Sequence, residues 1–348
     1  MHQNDGRNDL VIKPMPSDYP TSAFTRGLLT LLRHAALLAL AVVPLSSVQA
    51  QVMMLPDGSY SDPVKARTEY KRSCDEGVLV VCNELAIMLL KGEGGPMDMA
   101  EVRRLFQRVC DASIHDAPAG NGCFNLAMTH LHGEGAAVDL SRVRLYLDLA
   151  CAKGNDEGCS QVGRMFYKGE GGPVDLPSAR EAWWRACTSP TRDGNECLMN
   201  GLMVYEGIGG EANPGHAEQA FEQGCKQRNG ESCYHFGGLL AGSESKFGLS
   251  RAYEAYWHAC QYGFAQGCNN VGIMLANGQG TAVNLPEARN QFRRACDASF
   301  VEGCKNLGIM LGNGQGGAVD LSEAHSLFRR ACDGGVADAC EAAETISK

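Results

Sequence analysis

The sequence predicts an all-α fold, a solenoid of about seven helix hairpins with half-repeat caps. Three observations carry that prediction: sixteen cysteines spaced as a repeat, other residue types recurring at fixed offsets from them, and a composition suited to a continuous core. Cysteines stand at Cys74, Cys82, Cys110, Cys123, Cys151, Cys159, Cys187, Cys197, Cys225, Cys233, Cys260, Cys268, Cys296, Cys304, Cys332 and Cys340. Gaps of 8 to 13 residues alternate with gaps of 27 or 28. The period of about 36 residues lies in the range of stacked helical hairpins. Length varies by more than one residue only inside the short gaps, so these are loops and the long stretch is the rigid unit.

Of the 348 residues, 44% are hydrophobic and 20% charged, and the net charge is −9. With no basic field to draw phosphates, neither nucleic acid nor an anionic membrane surface is an expected partner. Residues 1–50 read as a signal peptide with a long n-region. Arg26 and Arg33 precede the apolar stretch Ala35–Leu45, and Val48 and Ala50 supply small residues at a cleavage site. That run is short of the roughly 20 residues a spanning helix needs, so the mature chain is expected to be exported, periplasmic or secreted, without a membrane span. Residues 51–62 are expected as a flexible leader and 63–348 as the solenoid.

Within each long gap a small residue sits four positions after the first cysteine (Ala86, Ala127, Gly163, Gly201, Gly237, Gly272, Gly308), letting another helix approach. Glycines at ten and twelve, such as Gly169 and Gly171 or Gly314 and Gly316, are expected to end the first helix. Asp320 or Asn284 then caps the second helix, with Pro177 or Pro286 in its first turn. Ala324, Phe328 and Cys332 recur four apart and predict its buried stripe. Val64–Cys74 and Ala337–Ile346 are the half-units that cap the ends.

A cysteine-rich exported chain implies disulfides. Hairpin geometry allows bonds across either gap. Bonding across the long gap orphans Cys74 and Cys340, whereas bonding across the short gap uses every cysteine. The expected pairs are therefore Cys74–Cys82, Cys110–Cys123, Cys151–Cys159, Cys187–Cys197, Cys225–Cys233, Cys260–Cys268, Cys296–Cys304 and Cys332–Cys340.

The pattern Gly-Cys-x-x-Leu-Gly-x-Met…Gly-x-Gly…Val-x-Leu…Ala…Phe-x-x-Ala-Cys-Asp, read from Gly303 to Asp333, resembles the SEL-like repeat (SLR) family, relatives of tetratricopeptide repeats. The eight-residue cysteine pairs are similar to its secreted branch, the Helicobacter cysteine-rich proteins. The resemblance covers roughly residues 63–345. It implies a right-handed α/α superhelix acting as an adaptor for protein complexes, and, from some cysteine-rich members, penicillin binding or weak β-lactamase activity.

The residues offer little for catalysis. Ser243-Glu-Ser-Lys246 fits the Ser-x-x-Lys string of serine β-lactamases, but it falls in an expected loop and lacks a Lys-Thr-Gly partner. Ser243 and Lys246 are thus weak catalytic candidates, in the one repeat whose loop glycines are replaced by Ser243 and Ser245. His130-Leu-His132 with Glu134 is the single tight histidine cluster. Its rings diverge at that spacing, so no metal is expected, and no cofactor either. A binding face for a protein or peptide partner is favoured instead. Asn83, Asn125, Tyr234, Asn270 and Asn306 lie one or two positions after the first cysteine, on the side of the first helix expected to line the concave surface. An amide presents donor and acceptor together and can hold an extended backbone. The competing role for these amides is to satisfy loop carbonyls between adjacent hairpins. Trp184 is a further candidate contact.

Overall fold

The computed structural model describes residues 62–112, 119–132, 138–189, 194–242 and 245–346. The expected signal peptide, residues 51–61 of the leader, Glu134 and Ser243 lie outside the described residues. Among the described residues are sixteen helices and no strand. The chain divides into two compact units, Met1–Lys153 and Gly154–Lys348.

In the first unit, α1 (Pro63–Asp75) is the N-terminal half-unit. It is followed by the hairpins α2 (Leu79–Lys91) with α3 (Met99–Cys110) and α4 (Ala119–Leu131) with α5 (Leu140–Ala152). The second unit holds five hairpins: α6 (Asp156–Lys168) with α7 (Leu176–Cys187), α8 (Asn195–Glu206) with α9 (Pro214–Lys226), α10 (Gly230–Ala241) with α11 (Lys246–Gln261), α12 (Ala265–Asn277) with α13 (Leu285–Asp297), and α14 (Val301–Gly312) with α15 (Leu321–Asp333). It ends in α16 (Ala337–Ile346).

The second helix of a hairpin starts where an Asp or Asn side chain accepts a backbone N–H of its first turn. Asp98, Asp139, Asp175, Asn213, Asn284 and Asp320 all do so, each worth about 1 kcal/mol. The expected stripe is buried, as with Val102, Phe106 and Cys110 in α3 or Ala288, Phe292 and Cys296 in α13. In the first unit it packs with Leu85, Ala86 and Leu89 of α2 into one core.

The helix that the small first-helix residue admits is its own hairpin partner. A methyl added at Gly201 would lie 2.5 Å from the Phe221 ring, and one at Gly163 2.7 Å from Trp183. Gly201→Ala is therefore expected to destabilise the fold. Displacing the ring costs roughly 1–3 kcal/mol, which outweighs a helix-propensity gain of about 1 kcal/mol. Adding Phe221→Leu should recover part of the loss, since Ala127 and Leu147 fill the same register in α4 and α5. A thermal melt in which the double variant fares no better than the single one would refute this pairing.

Both loop glycines were expected to end the first helix, but the structure divides the work. Gly207 takes the left-handed conformation (φ +73°) as the C-cap of α8. Gly209, also left-handed (φ +75°), passes beside the start of the preceding hairpin's second helix, where a side chain would stand 2.5 Å from the Leu176 carbonyl oxygen. The next residue, Gly210, leaves room for Arg180, whose Nη1 donates to the Glu211 carbonyl at 3.0 Å. The same latch joins Arg67 to Pro96 and Arg289 to Ala318, each at 3.1 Å.

The α10–α11 hairpin differs. Ser245, expected as a loop residue, caps α11 by accepting the Gly248 N–H at 2.9 Å, and Lys246 is the first residue of that 16-residue helix. Replacing the loop glycines with residues that can cap lets the second helix begin sooner.

Seven of the expected disulfides form as paired, with Cα atoms 4.5 to 4.8 Å apart: Cys74–Cys82, Cys110–Cys123, Cys187–Cys197, Cys225–Cys233, Cys260–Cys268, Cys296–Cys304 and Cys332–Cys340. Cys151 and Cys159 are disulfide-bonded too, and no cysteine is free. Each of the seven ties the end of one helix to the beginning of the next. In three of the seven the residue before the second cysteine is glycine, in tight quarters: a methyl at Gly267 would lie 2.6 Å from the Ala259 Cβ and 2.8 Å from the Cys260 nitrogen.

Candidate functional site

The candidate binding residues fall into two groups, Asn83 and Asn125 in the first unit and Tyr234, Asn270 and Asn306 in the second. Each sits in the first turn or two of a first helix, just after the cysteine that fixes that turn. Asn125 Nδ2 donates to Asn83 Oδ1 at 2.9 Å, and Asn306 Nδ2 donates to Asn269 Oδ1 at 2.8 Å. In both pairs the amide two positions after a cysteine reaches the amide one position after the preceding hairpin's cysteine. The acceptors Asn83 and Asn269 are buried, while Asn125 and Asn306 are half-buried. These amides therefore clasp neighbouring first helices, by bonding one another and not loop carbonyls.

Tyr234 and Asn270 belong to a different arrangement. The Tyr234 ring packs against His235, Tyr256 and Phe264 at centroid distances of 5.4, 5.8 and 5.2 Å, and burial pushes its phenol pKa up. Asn270 hydrogen-bonds the Tyr256 phenol, whose pKa is raised first by burial and then by Tyr234. His235 lies beneath, stacked on Phe221 at 5.1 Å, and burial alone lowers its pKa to about 4. An uncharged aromatic and amide cluster of this kind suits an apolar or amide-bearing ligand better than an ion.

Lys246 is exposed at the N-terminus of α11. His130 stacks on Tyr146 at 5.5 Å, and its pKa is lowered by burial and then by Arg142 and Arg103. Trp184 is half-buried and meets His216 edge-on at 4.4 Å.

Two features escaped the sequence reading. Glu196 occupies the place that glycine holds before Cys268 and Cys304; it is buried and accepts the Ser160 hydroxyl at 2.6 Å. Tyr253, Glu254, Trp257 and His258 line a small open pocket on α11. Its signal in the sequence was the loss of arginine at register positions held by Arg289, Arg293 and Arg294 in α13.

Residues 120–155, 156–181, 265–300 and 301–336 match the model of the Sel1 repeat. The chain thus carries four Sel1 repeats. Three of the matched segments each span a complete hairpin, α4–α5, α12–α13 and α14–α15, while the α10–α11 hairpin lies outside all four. The SLR-fold protective antigen of uropathogenic Escherichia coli superposes with a TM-score of 0.58 at 19% identity, covering 78% of this chain and 57% of that one. A Sel1-repeat protein of Oxalobacter formigenes gives 0.51 at 17% identity, over 64% of this chain and 88% of that one. Cytochrome c oxidase assembly factor 7 of Xenopus tropicalis is 28% identical over 145 residues, 39% of this chain and 62% of the relative. The chain thus spans less than two thirds of that relative's length. The two solved structures establish the fold; the Sel1 repeat itself is a scaffold for protein interaction. No helix among the described residues is long and apolar enough to cross a membrane.

Proposed function

We propose that this Sel1-repeat chain is an exported scaffold that binds a protein or peptide partner along the surface of its first helices. The observation that carries the reading is the pair of amide clasps. Asn125 and Asn306 are held in place through their Nδ2 groups, so that each amide oxygen would meet a ligand backbone in a fixed orientation. Tyr234 adds a partly buried aromatic surface in the second unit. Export is supported by the bonding of every cysteine, a state that oxidising compartments maintain. The frog relative, an assembly factor by name, is in keeping with a scaffold role.

Photo-crosslinking side chains placed at Asn125 and Asn306 in the exported chain should each give a discrete crosslinked species, whereas one at the exposed Arg104 should not. No product at the two asparagines, or equal yield at Arg104, would overturn the first-helix assignment. The mass of the recovered chain should correspond to a start near Gln51; recovery of the intact chain from the cytosol would overturn export.

A further inference from the structure

The pocket on α11 is independent of the first-helix surface, since it lies on a second helix. Three features meet there. Trp257 is 41% exposed, unusual for the largest apolar side chain, and stands one turn from Tyr253. Glu254 faces solvent between them, and no ion pair or hydrogen bond engages its carboxylate. The third feature is that the face has lost its own cations. Where Arg67, Arg180 and Arg289 latch the following loop, this helix has Tyr253, and Thr281 stands where glycine would have made room for the guanidinium. At the register of Arg293 and Arg294 it has Trp257 and His258. Arg251, two residues before Tyr253, lies instead over the rings of Phe236 and Phe247, at 5.4 and 6.0 Å. Glu287 lies close enough to raise the Tyr253 phenol pKa further after burial, adding negative potential.

We propose that this pocket receives an arginine side chain of a partner protein, its guanidinium stacked on Trp257 and its fork bonded to the Glu254 carboxylate. The indole face attracts a cation, and arginine is the cation most often found there. A carboxylate beside it matches the planar donors of guanidinium in a way a lysine ammonium cannot. Size agrees: the cavity is about 160 Å³, room for one side-chain head and below the roughly 300–1,000 Å³ of sites that enclose a whole small molecule. The α10–α11 hairpin combines a shortened loop, a missing latch and outward aromatic residues.

The test uses the full oxidised chain, titrated with Ac-Gly-Arg-Gly-amide while the indole N–H resonance of Trp257 is followed by NMR. A saturable shift is expected, with affinity lowered about fivefold by Glu254→Gln and by Trp257→Ala, the latter read through the Glu254 and His258 amides. Both positions are exposed, so these variants should melt like the parent. The citrulline peptide, which keeps the shape and lacks the charge, should not bind. Equal binding of the citrulline or lysine peptide would overturn the proposal. So would an equal loss in Glu302→Gln, which removes the same charge from α14, and so would unchanged affinity in Trp257→Ala.

Discussion

Complete reduction of the disulfides is expected to lower the midpoint of the helical circular-dichroism transition by tens of degrees. Each short-gap bond closes a loop of about nine to fourteen residues, for which lost chain entropy in the unfolded state contributes roughly 2.5–3 kcal/mol. That is a large share of the stability of any one hairpin interface, and in a repeat fold stability is close to a sum over such interfaces. Gly267, beside the Cys260–Cys268 bond, contributes no side chain to that contact. A reduced chain must hold this junction through the buried contacts of Cys260 and Cys268 with Ala295 and Phe300. The replacement of Cys225 and Cys233 by serine should act locally, speeding amide exchange in α9 and α10 more than in α14 and α15. An unchanged midpoint after full reduction, or a uniform rise in exchange across the second unit, would refute the role of the bonds as local staples.

The hairpins were legible because cysteine, glycine, a cap residue and an aromatic group recur in register, and a repeat supplies its own internal comparison. Seven bonds follow the pairing that spacing implied, and the caps and buried stripes lie where the offsets put them. What spacing could not reveal is which neighbour each residue serves. Gly209 and Gly207 look alike in sequence, yet one ends a helix and the other makes way for the preceding hairpin. The asparagines were visible as a row, but only three-dimensional stacking shows that Asn125 reaches Asn83 forty-two positions away. The α11 pocket was obscured for the opposite reason. Tyr253, Trp257 and His258 break the repeat, and a reading built on recurrence gives such departures no weight until a surface gathers them.

His235 should make the second unit sensitive to acid. It is 8% exposed, and burial holds its pKa at about 4 in the folded chain against an ordinary value of 6.5. The unfolded chain therefore takes up a proton first as pH falls. Stability from the neutral ring is complete above about pH 6.5 and is lost progressively down to about pH 4. The difference of about 2.5 pH units corresponds to roughly 3 kcal/mol at 1.36 kcal/mol per unit. Glu231 lies 4.0 Å from Nε2, the outer limit for an ion pair, and its side chain is 43% exposed, so water screens the attraction and burial prevails. The other neighbours are rings, Phe221 stacked on the imidazole and Tyr234 at its edge, and neither offers a counter-charge. Substituting His235→Gln should cost stability at neutral pH through lost ring packing, yet flatten the acid limb. The gap between parent and variant should then narrow by roughly 3 kcal/mol between pH 7 and pH 4. Denaturant titrations of the two chains at both pH values measure that gap directly. A gap that stays constant would mean that the imidazole acquires its proton without leaving its place between the rings.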